Sequence, residues 1–242
     1  MQIVRFDRLE STNKYCEVLD LAKVEDFTCY WALEQTAGTG QRGNRWESTA
    51  GENLTFSIIL KPKEFPANRQ FLLTQAVSLA VVDFLESLGL DAEVHIKWPN
   101  DIYIGTKKVC GILTSAKVSG TYITSAVCGI GLNVNQTVFP KWIPNPVSLS
   151  MVTGKRYELE TLLGQLTECI EKRYRQTDIN TDLDGEYLGR LLGYRQSAKY
   201  RYEGKVIDAV IRGVDQHGRL LLTASDGREL CCAMKEIEKI LD

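Results

Sequence analysis

The stretch GTGQRGNRW, residues 38–46, most constrains what this chain can fold into. It holds a literal G-x-G-x-x-G at Gly38, Gly40 and Gly43, preceded by the strand-like run TCYWALEQ. A dinucleotide-binding βαβ unit needs a helix directly after that pattern, because the helix N-terminus holds the pyrophosphate. Here NRWESTAGEN follows, a run of turn formers, and then another strand. The same six-residue pattern in a protein kinase would be followed by H-R-D and D-F-G, and neither is present. Both nucleotide folds are therefore excluded. The physical content that remains is a loop of glycines able to take positive φ and to expose backbone N–H groups. Successive N–H groups of this kind make an anion site. Arg42 and Arg45 add charged donors, and Trp46 closes the loop with an apolar anchor.

The rest of the chain reads as strands mixed with helices. QIVRFD is a strand, followed by a helix over STNKYCEVLDLAKV that is N-capped by Ser11 or Thr12. NLTFSIILK is a strand, and a long helix covers about 67–88 with Gly89 as its C-cap. EVHIKW, the two halves of DIYIGTKKVCGILTSAKV around a turn at Gly105-Thr106, and TYITSAVCGIGLNVN are strands. FPKWIPNPVSLS is a proline-punctuated loop. Two helical segments then give way, near Gly193, to short strands joined by glycine turns. The expected class is α+β: a mixed central β-sheet with flanking helices, plus a small C-terminal β-barrel. The expected domains are 1–193 and 194–242.

Composition narrows the chemistry. A net charge of −2 offers no pull toward nucleic acid or an anionic membrane. Seven cysteines without a C-x-x-C read as free thiols, most of them buried, in a reducing, cytoplasmic setting. Only His95 and His217 are present, which excludes a histidine-rich metal site. His95 alternates on a strand face, and His217 sits in a turn. The most apolar helix carries Gln75, Ser78, Asp83 and Glu86, so it reads as a core helix, not a membrane span. No signal peptide precedes the first strand.

Two further groups of residues point to bound phosphate. KWPND places Lys97, Asn100 and Asp101 at a strand end, with Lys107 and Lys108 on the next hairpin. Asp101 is a candidate magnesium ligand, and Lys108 could steady a developing negative charge. GIGLNVN brings Gly129, Gly131 and Asn133 to another strand end, where a ligand could lie against backbone.

In order, STN (11–13), QTAGTGQRGNRW (35–46), KWPND (97–101), KKVCGIL (107–113) and GIGLNVN (129–135) resemble the biotin protein ligases. The resemblance spans nearly the whole chain, the β tail matching that family's SH3-like C-terminal domain. It implies two steps: ATP and biotin form biotinyl-5′-adenylate, and a lysine of a biotin carboxyl carrier domain is then acylated. ATP, biotin and Mg2+ are the implied small molecules. By resemblance, Ser11, Thr12, Asn13, Gln35, Gly38, Gly111, Ile112, Gly129 and Gly131 bind biotin. Thr39, Gln41, Arg42, Arg45, Trp46, Lys97, Asn100, Asp101, Lys108 and Asn133 bind ATP or the adenylate. Lys108 and Arg42 are the implied catalytic pair, and Asp101 the implied metal ligand. Nothing before Ile3 leaves room for the DNA-binding domain of some members, so a stand-alone ligase is expected, with pairing into a homodimer possible. The alternatives are a lipoate or octanoate ligase of the same fold and a non-catalytic biotin-binding regulator. Thr39 and Gln41 stand where many members carry arginine, which shifts load onto Arg42 and Arg45. Arg42→Ala should therefore lower biotin-dependent ATP–pyrophosphate exchange about tenfold or more, a charged hydrogen bond being worth roughly 1.5–3 kcal/mol. Unchanged exchange would refute this.

Overall fold

The computed structural model describes residues 1–240, and at Arg42 the backbone alone. Eight strands form the first sheet: β1 (Ile3–Leu9), β2 (Cys29–Gln35), β3 (Leu54–Leu60), β4 (Phe65–Pro66), β5 (Val94–Lys97), β6 (Asp101–Ile104), β7 (Lys107–Ser119) and β8 (Tyr122–Leu132). Their order is β1-β2-β3-β8-β7-β6-β5, with β4 added beside β8. The β1–β2 pair is parallel and every other pair is antiparallel. The expected mixed sheet is therefore present. Its antiparallel part follows from the connections: β5 to β8 are joined by turns too short for a crossover.

Strand alternation divides the core between two faces. On one side helix α1 (Thr12–Glu17) covers Tyr30, Ile59 and Val127. On the other, α2 (Gln70–Ser87) and α4 (Leu159–Gln176) cover Trp31, Ile58 and Cys128. β3 is buried at every residue because both faces are covered there. α3 (Leu149–Thr153) and α5 (Asp184–Gly189) are short. Arg173 ties α4 to α2 and α5, donating to Asp83 (2.5 and 2.9 Å) and Glu186 (2.5 and 3.0 Å). Those hydrogen bonds raise its pKa above the ordinary arginine value.

β9 (Ser197–Tyr202), β10 (Lys205–Val214), β11 (Leu220–Ala224), β12 (Glu229–Cys232) and β13 (Ile237–Lys239) form a second, antiparallel sheet in the order β12-β11-β10-β9-β13. The short β13 was not expected from the sequence, because three residues carry no readable alternation. This sheet is docked, with Tyr200, Ile211 and Leu222 continuing the core around α2. Trp98 Nε1 donates to the Gly218 carbonyl at 2.9 Å, and Lys239 Nζ to that of Leu192 at 3.0 Å.

The first helix is shorter than expected. α1 ends at Glu17, and after it Leu21–Lys23 form a separate 3-10 turn capped by Asp20. Ser11 is its N-cap, as expected, and Gly89 ends α2 at φ 66°. His95 lies on β5 and His217 is exposed in a turn. All seven cysteines are free, five of them buried. Burial pushes the Cys16 and Cys128 thiols up to about 12. No helix among the described residues is long and apolar enough to cross a membrane.

The β10–β11 turn is a point of close packing. Gly218 has φ 78°, and a Cβ there would lie 2.4 Å from the Phe71 ring. Gly218→Ala should cost about 2–3 kcal/mol through strain and overpacking. Thermal unfolding should show a melting point lower by roughly 4–10 °C, and an unchanged value would contradict the contact.

Candidate functional site

The sheet ends gather most of the expected residues around one cavity of about 120 Å3. α1 delivers Ser11, Thr12 and Asn13 to it because the Ser11 cap turns the chain just past the end of β1. These polar residues are buried and mutually bonded. Gln35 Oε1 accepts from the Thr12 backbone N–H at 2.6 Å and from its hydroxyl at 3.2 Å. Ser11 Oγ lies 3.0 Å from Thr39 Oγ1. Ser57 Oγ lies 2.8 Å from Thr12 Oγ1 and donates to Asn13 Oδ1. Ser57 was missed by sequence reasoning. Its signal is a small polar residue inside the apolar run NLTFSIILK.

The glycines differ from expectation in their immediate role. Only Gly43 of the loop has positive φ, 84°. Gly40 is extended, and its N–H donates to the Asn44 carbonyl at 2.8 Å. Gly38 is needed for space, since its Cβ would fall 2.4 Å from the Trp46 carbonyl oxygen. Part of the expected row of free N–H donors is thus spent inside the loop. At the sheet, a Cβ on Gly129 would sit 1.9 Å from Asn13 Oδ1, and one on Gly131 2.3 Å from the Trp46 indole. Gly111 is 3.0 Å from that indole by the same measure. These glycines seat Asn13 and Trp46 against the sheet, and those two side chains form the cavity wall. Trp46 Nε1 is buried with no hydrogen-bond partner among the described residues.

Lys108 stands at a β-bulge. Tyr103 pairs with Lys108 and Ile102 with Cys110, so Val109 is skipped. A bulge re-aims a side chain. Lys107 is exposed, whereas Lys108 is only 29% exposed and bonds Asp101 Oδ1 at 2.7 Å. Its backbone is clamped by the proline loop, with Lys108 N–H to the Asn145 carbonyl (2.7 Å) and Val147 N–H to the Lys108 carbonyl (2.9 Å). The ammonium also lies 5.8 Å from the centre of the Trp46 ring. Asn100 is buried and donates to the Ile112 carbonyl, which fixes the turn that carries Asp101.

Two larger cavities adjoin the first. One of about 430 Å3 runs past Tyr103, Lys108, Asn133, Phe139, Trp142 and Pro146. Another, of about 370 Å3, lies between β5–β6 and the C-terminal sheet. Asn44 and Asp101 line all three. Arg45 borders the first two, and Lys97 the larger pair. Phe139, Trp142 and Asn44 were not picked out from sequence. An aromatic within a proline-rich loop was the available signal. The Arg42 side chain lies outside what the structure describes.

Residues 5–133 match the sequence profile of the biotin/lipoate A/B protein ligase family. The chain belongs to this family. Among its relatives is the Bacillus subtilis bifunctional ligase/repressor BirA, 32% identical over 93% of this chain and 70% of that protein. The biotin–[acetyl-CoA-carboxylase] ligase of Paracoccus denitrificans is 30% identical over 92% and 95%. The biotin protein ligase of Aquifex aeolicus, solved in complex with biotin and ATP, superposes with a TM-score of 0.81, 26% identity and 99% of both chains. The polar wall around Ser57 borders the small cavity. Ser57→Ala removes two buried contacts and leaves Thr12 and Asn13 each short of a hydrogen-bond partner, at a cost of about 1–3 kcal/mol. Gly129→Ala must displace Asn13. Both variants should weaken biotin binding by about tenfold or more, measured by calorimetry. Wild-type affinity in Gly129→Ala would show that Asn13 is not part of the wall.

Proposed function

We infer that this chain is a biotin protein ligase that activates biotin with ATP and transfers it to a lysine of a biotin carboxyl carrier domain. The observation that carries the reading is the meeting of three cavities at Asp101, beside the Lys108 ammonium. The fold and its extent support it, since the Aquifex ligase matches over 99% of both chains.

The small cavity takes the biotin end. Ser11, Thr12, Asn13 and Gln35 offer the donors and acceptors that a ureido ring needs, and Gly111, Ile112, Gly129 and Gly131 supply its floor. Gly38 serves by holding Trp46 in place. The larger cavity, walled by Tyr103, Phe139, Trp142 and Pro146, suits a purine, with Asn133 at its edge. Lys108, between the two, is assigned the charge shared by the biotin carboxylate and the α-phosphate. Arg45, Thr39, Gln41 and Trp46 close the loop side, Arg42 is kept as a phosphate contact, and Lys97, Asn100 and Asp101 support the nucleotide.

In the first step a carboxylate oxygen attacks the α-phosphorus, and the bond to the α–β bridging oxygen breaks. Pyrophosphate leaves with the bonding electron pair. No proton moves, so the protein's work is positioning and charge. In the second step the carrier amine attacks the acyl carbon. The C–N bond forms, the C–O bond to AMP breaks, and the amine proton passes to water. No covalent enzyme intermediate is needed, which matches a site without a nucleophile–histidine pair.

No group of three or more His, Cys, Asp or Glu able to hold a metal exists among the described residues. Magnesium is therefore assigned to ATP itself, since it keeps waters and phosphates as ligands and takes only one or two carboxylates. Asp101 would be one such carboxylate, through the oxygen not paired with Lys108, and the ion would supply charge neutralisation. We further assign 1–193 to the catalytic domain and 194–242 to an SH3-like domain.

Incubation with ATP, magnesium, biotin and a carrier domain should add the mass of biotin to the carrier. Lys108→Met should lower that rate by about 10²–10³, the scale for losing one group that stabilises transition-state charge. A gain only with lipoate would replace this reading, and tight biotin binding without any gain would leave a regulator.

A further inference from the structure

Two irregular segments face each other across the aromatic cavity. One is the end of the glycine loop, Asn44, Arg45, Trp46 and Glu47, and the other is the proline loop, which supplies Phe139, Trp142 and Pro146. Residues 137–145 carry no helix and no strand, and Val138 and Trp142 are exposed. Such a loop keeps a shape only where its ends are tied. Its far end is tied by the site itself, through the Lys108 backbone and through Asn133 Nδ2, which donates to the Val147 carbonyl at 3.0 Å. Its near end is tied by Gln136, the residue directly after GIGLNVN, which is 5% exposed. Gln136 Nε2 donates to the Val138 carbonyl at 2.9 Å. Its Oε1 accepts from the Thr49 N–H at 3.0 Å and from Asn53 Nδ2 at 2.6 Å. Asn53 also donates to Ser48 Oγ at 3.1 Å and accepts from the Val134 N–H at 2.9 Å.

One buried amide therefore bonds the foot of both walls. Ser48 and Thr49 directly follow the first wall, and Val138 directly precedes the second. The orientation of the amide is forced. Turned over, its NH2 would face two donors, the Thr49 N–H and Asn53 Nδ2, and its oxygen would face the Val138 carbonyl. The walls cannot shift apart without breaking bonds between buried polar groups, which is costly. Gln136 itself stands behind the walls and does not line the cavity. We propose that Gln136 is a positioning residue for the nucleotide, setting the width of the base cavity by holding the glycine loop and the proline loop in register. The proposal rests on the adenylation reading above. It has a second consequence. The glycine loop also borders the small cavity, so order imposed on it from the acyl side passes through Gln136 to the proline loop.

Two variants of the full chain test it, with ATP and biotin as the probes. Gln136→Met keeps the volume and breaks all three bonds. Gln136→Glu keeps an acceptor for Thr49 and Asn53 and, as a carboxylate, offers Val138 no donor; it carries the test if Gln136→Met does not fold. In biotin-dependent ATP–pyrophosphate exchange, Gln136→Met should raise the KM for ATP about tenfold and Gln136→Glu about three- to tenfold. The Kd for biotin, measured by calorimetry without ATP, should stay within about threefold of wild type, because the polar wall of the small cavity makes no bond to Gln136. Limited trypsin digestion reads the two walls separately, since Arg45 lies in one and Lys141 in the other. Biotin alone should slow cleavage after both residues in the wild type, and after Arg45 only in either variant. A KM for ATP within about twofold of wild type in both variants overturns the proposal. So does a biotin Kd that rises as far as the KM for ATP, which would reveal a general distortion, and so does equal protection of Lys141 in wild type and variants. A wild-type chain that shows no biotin-dependent exchange overturns the ligase reading first, and a working wild type with unaffected variants overturns only this one.

Discussion

The ion pair between Lys108 and Asp101 is the interaction around which the site is organised. Neither residue is placed by chance. Asp101 follows a turn whose Asn100 is tied to β7, and Lys108 sits at the bulge of β7 opposite Tyr103. The proline loop then grips the Lys108 backbone on both sides. A lysine on a long flexible stem would otherwise lose rotamer entropy for every productive contact. Here the carboxylate and the bulge have already aimed it. The cost of that order falls on folding.

The same economy applies to the glycines. Their use is to let other protein groups come close, so that Asn13 lies on Gly129 and the Trp46 ring on Gly131 and Gly111. Those side chains then present shape and hydrogen bonds to the cavity. A side chain at any of these positions would act on the ligand indirectly, by moving its neighbour. The buried network from Gln35 through Thr12 to Ser57 makes this wall rigid, because its members hold one another's polar atoms.

Much of this was legible in the primary structure. The long helix, the strands from Val94 to Leu132 and the short C-terminal strands each carry a period or a turn signal that survives without tertiary context. Five motifs in order were legible, and most of them border the connected cavities. What could not be read were contacts between motifs. Ser57 is one polar residue in a buried strand, and nothing local says that it faces Thr12. Phe139 and Trp142 lie in a loop without periodicity. The family resemblance singled out the second lysine of KKVCGIL, but the bulge that turns it inward carries no local signal. The extent of the first helix was overread, because the Asp20 side chain caps a separate turn and helical propensity cannot see that competition.

The sequence by itself determined most element types, the exclusion of a dinucleotide fold and the order of the five motifs. Those depend on local backbone preference and on the chemistry of side chains, which each residue carries with it. Tertiary structure alone decided that three cavities converge on one aspartate, and that Tyr200 and Lys239 stand beside KWPND. The physical reason is separation along the chain. Residues about 100 positions apart are brought together by sheet order and by the docking of the second sheet on Trp98 and α2, and both arise from burying a shared core.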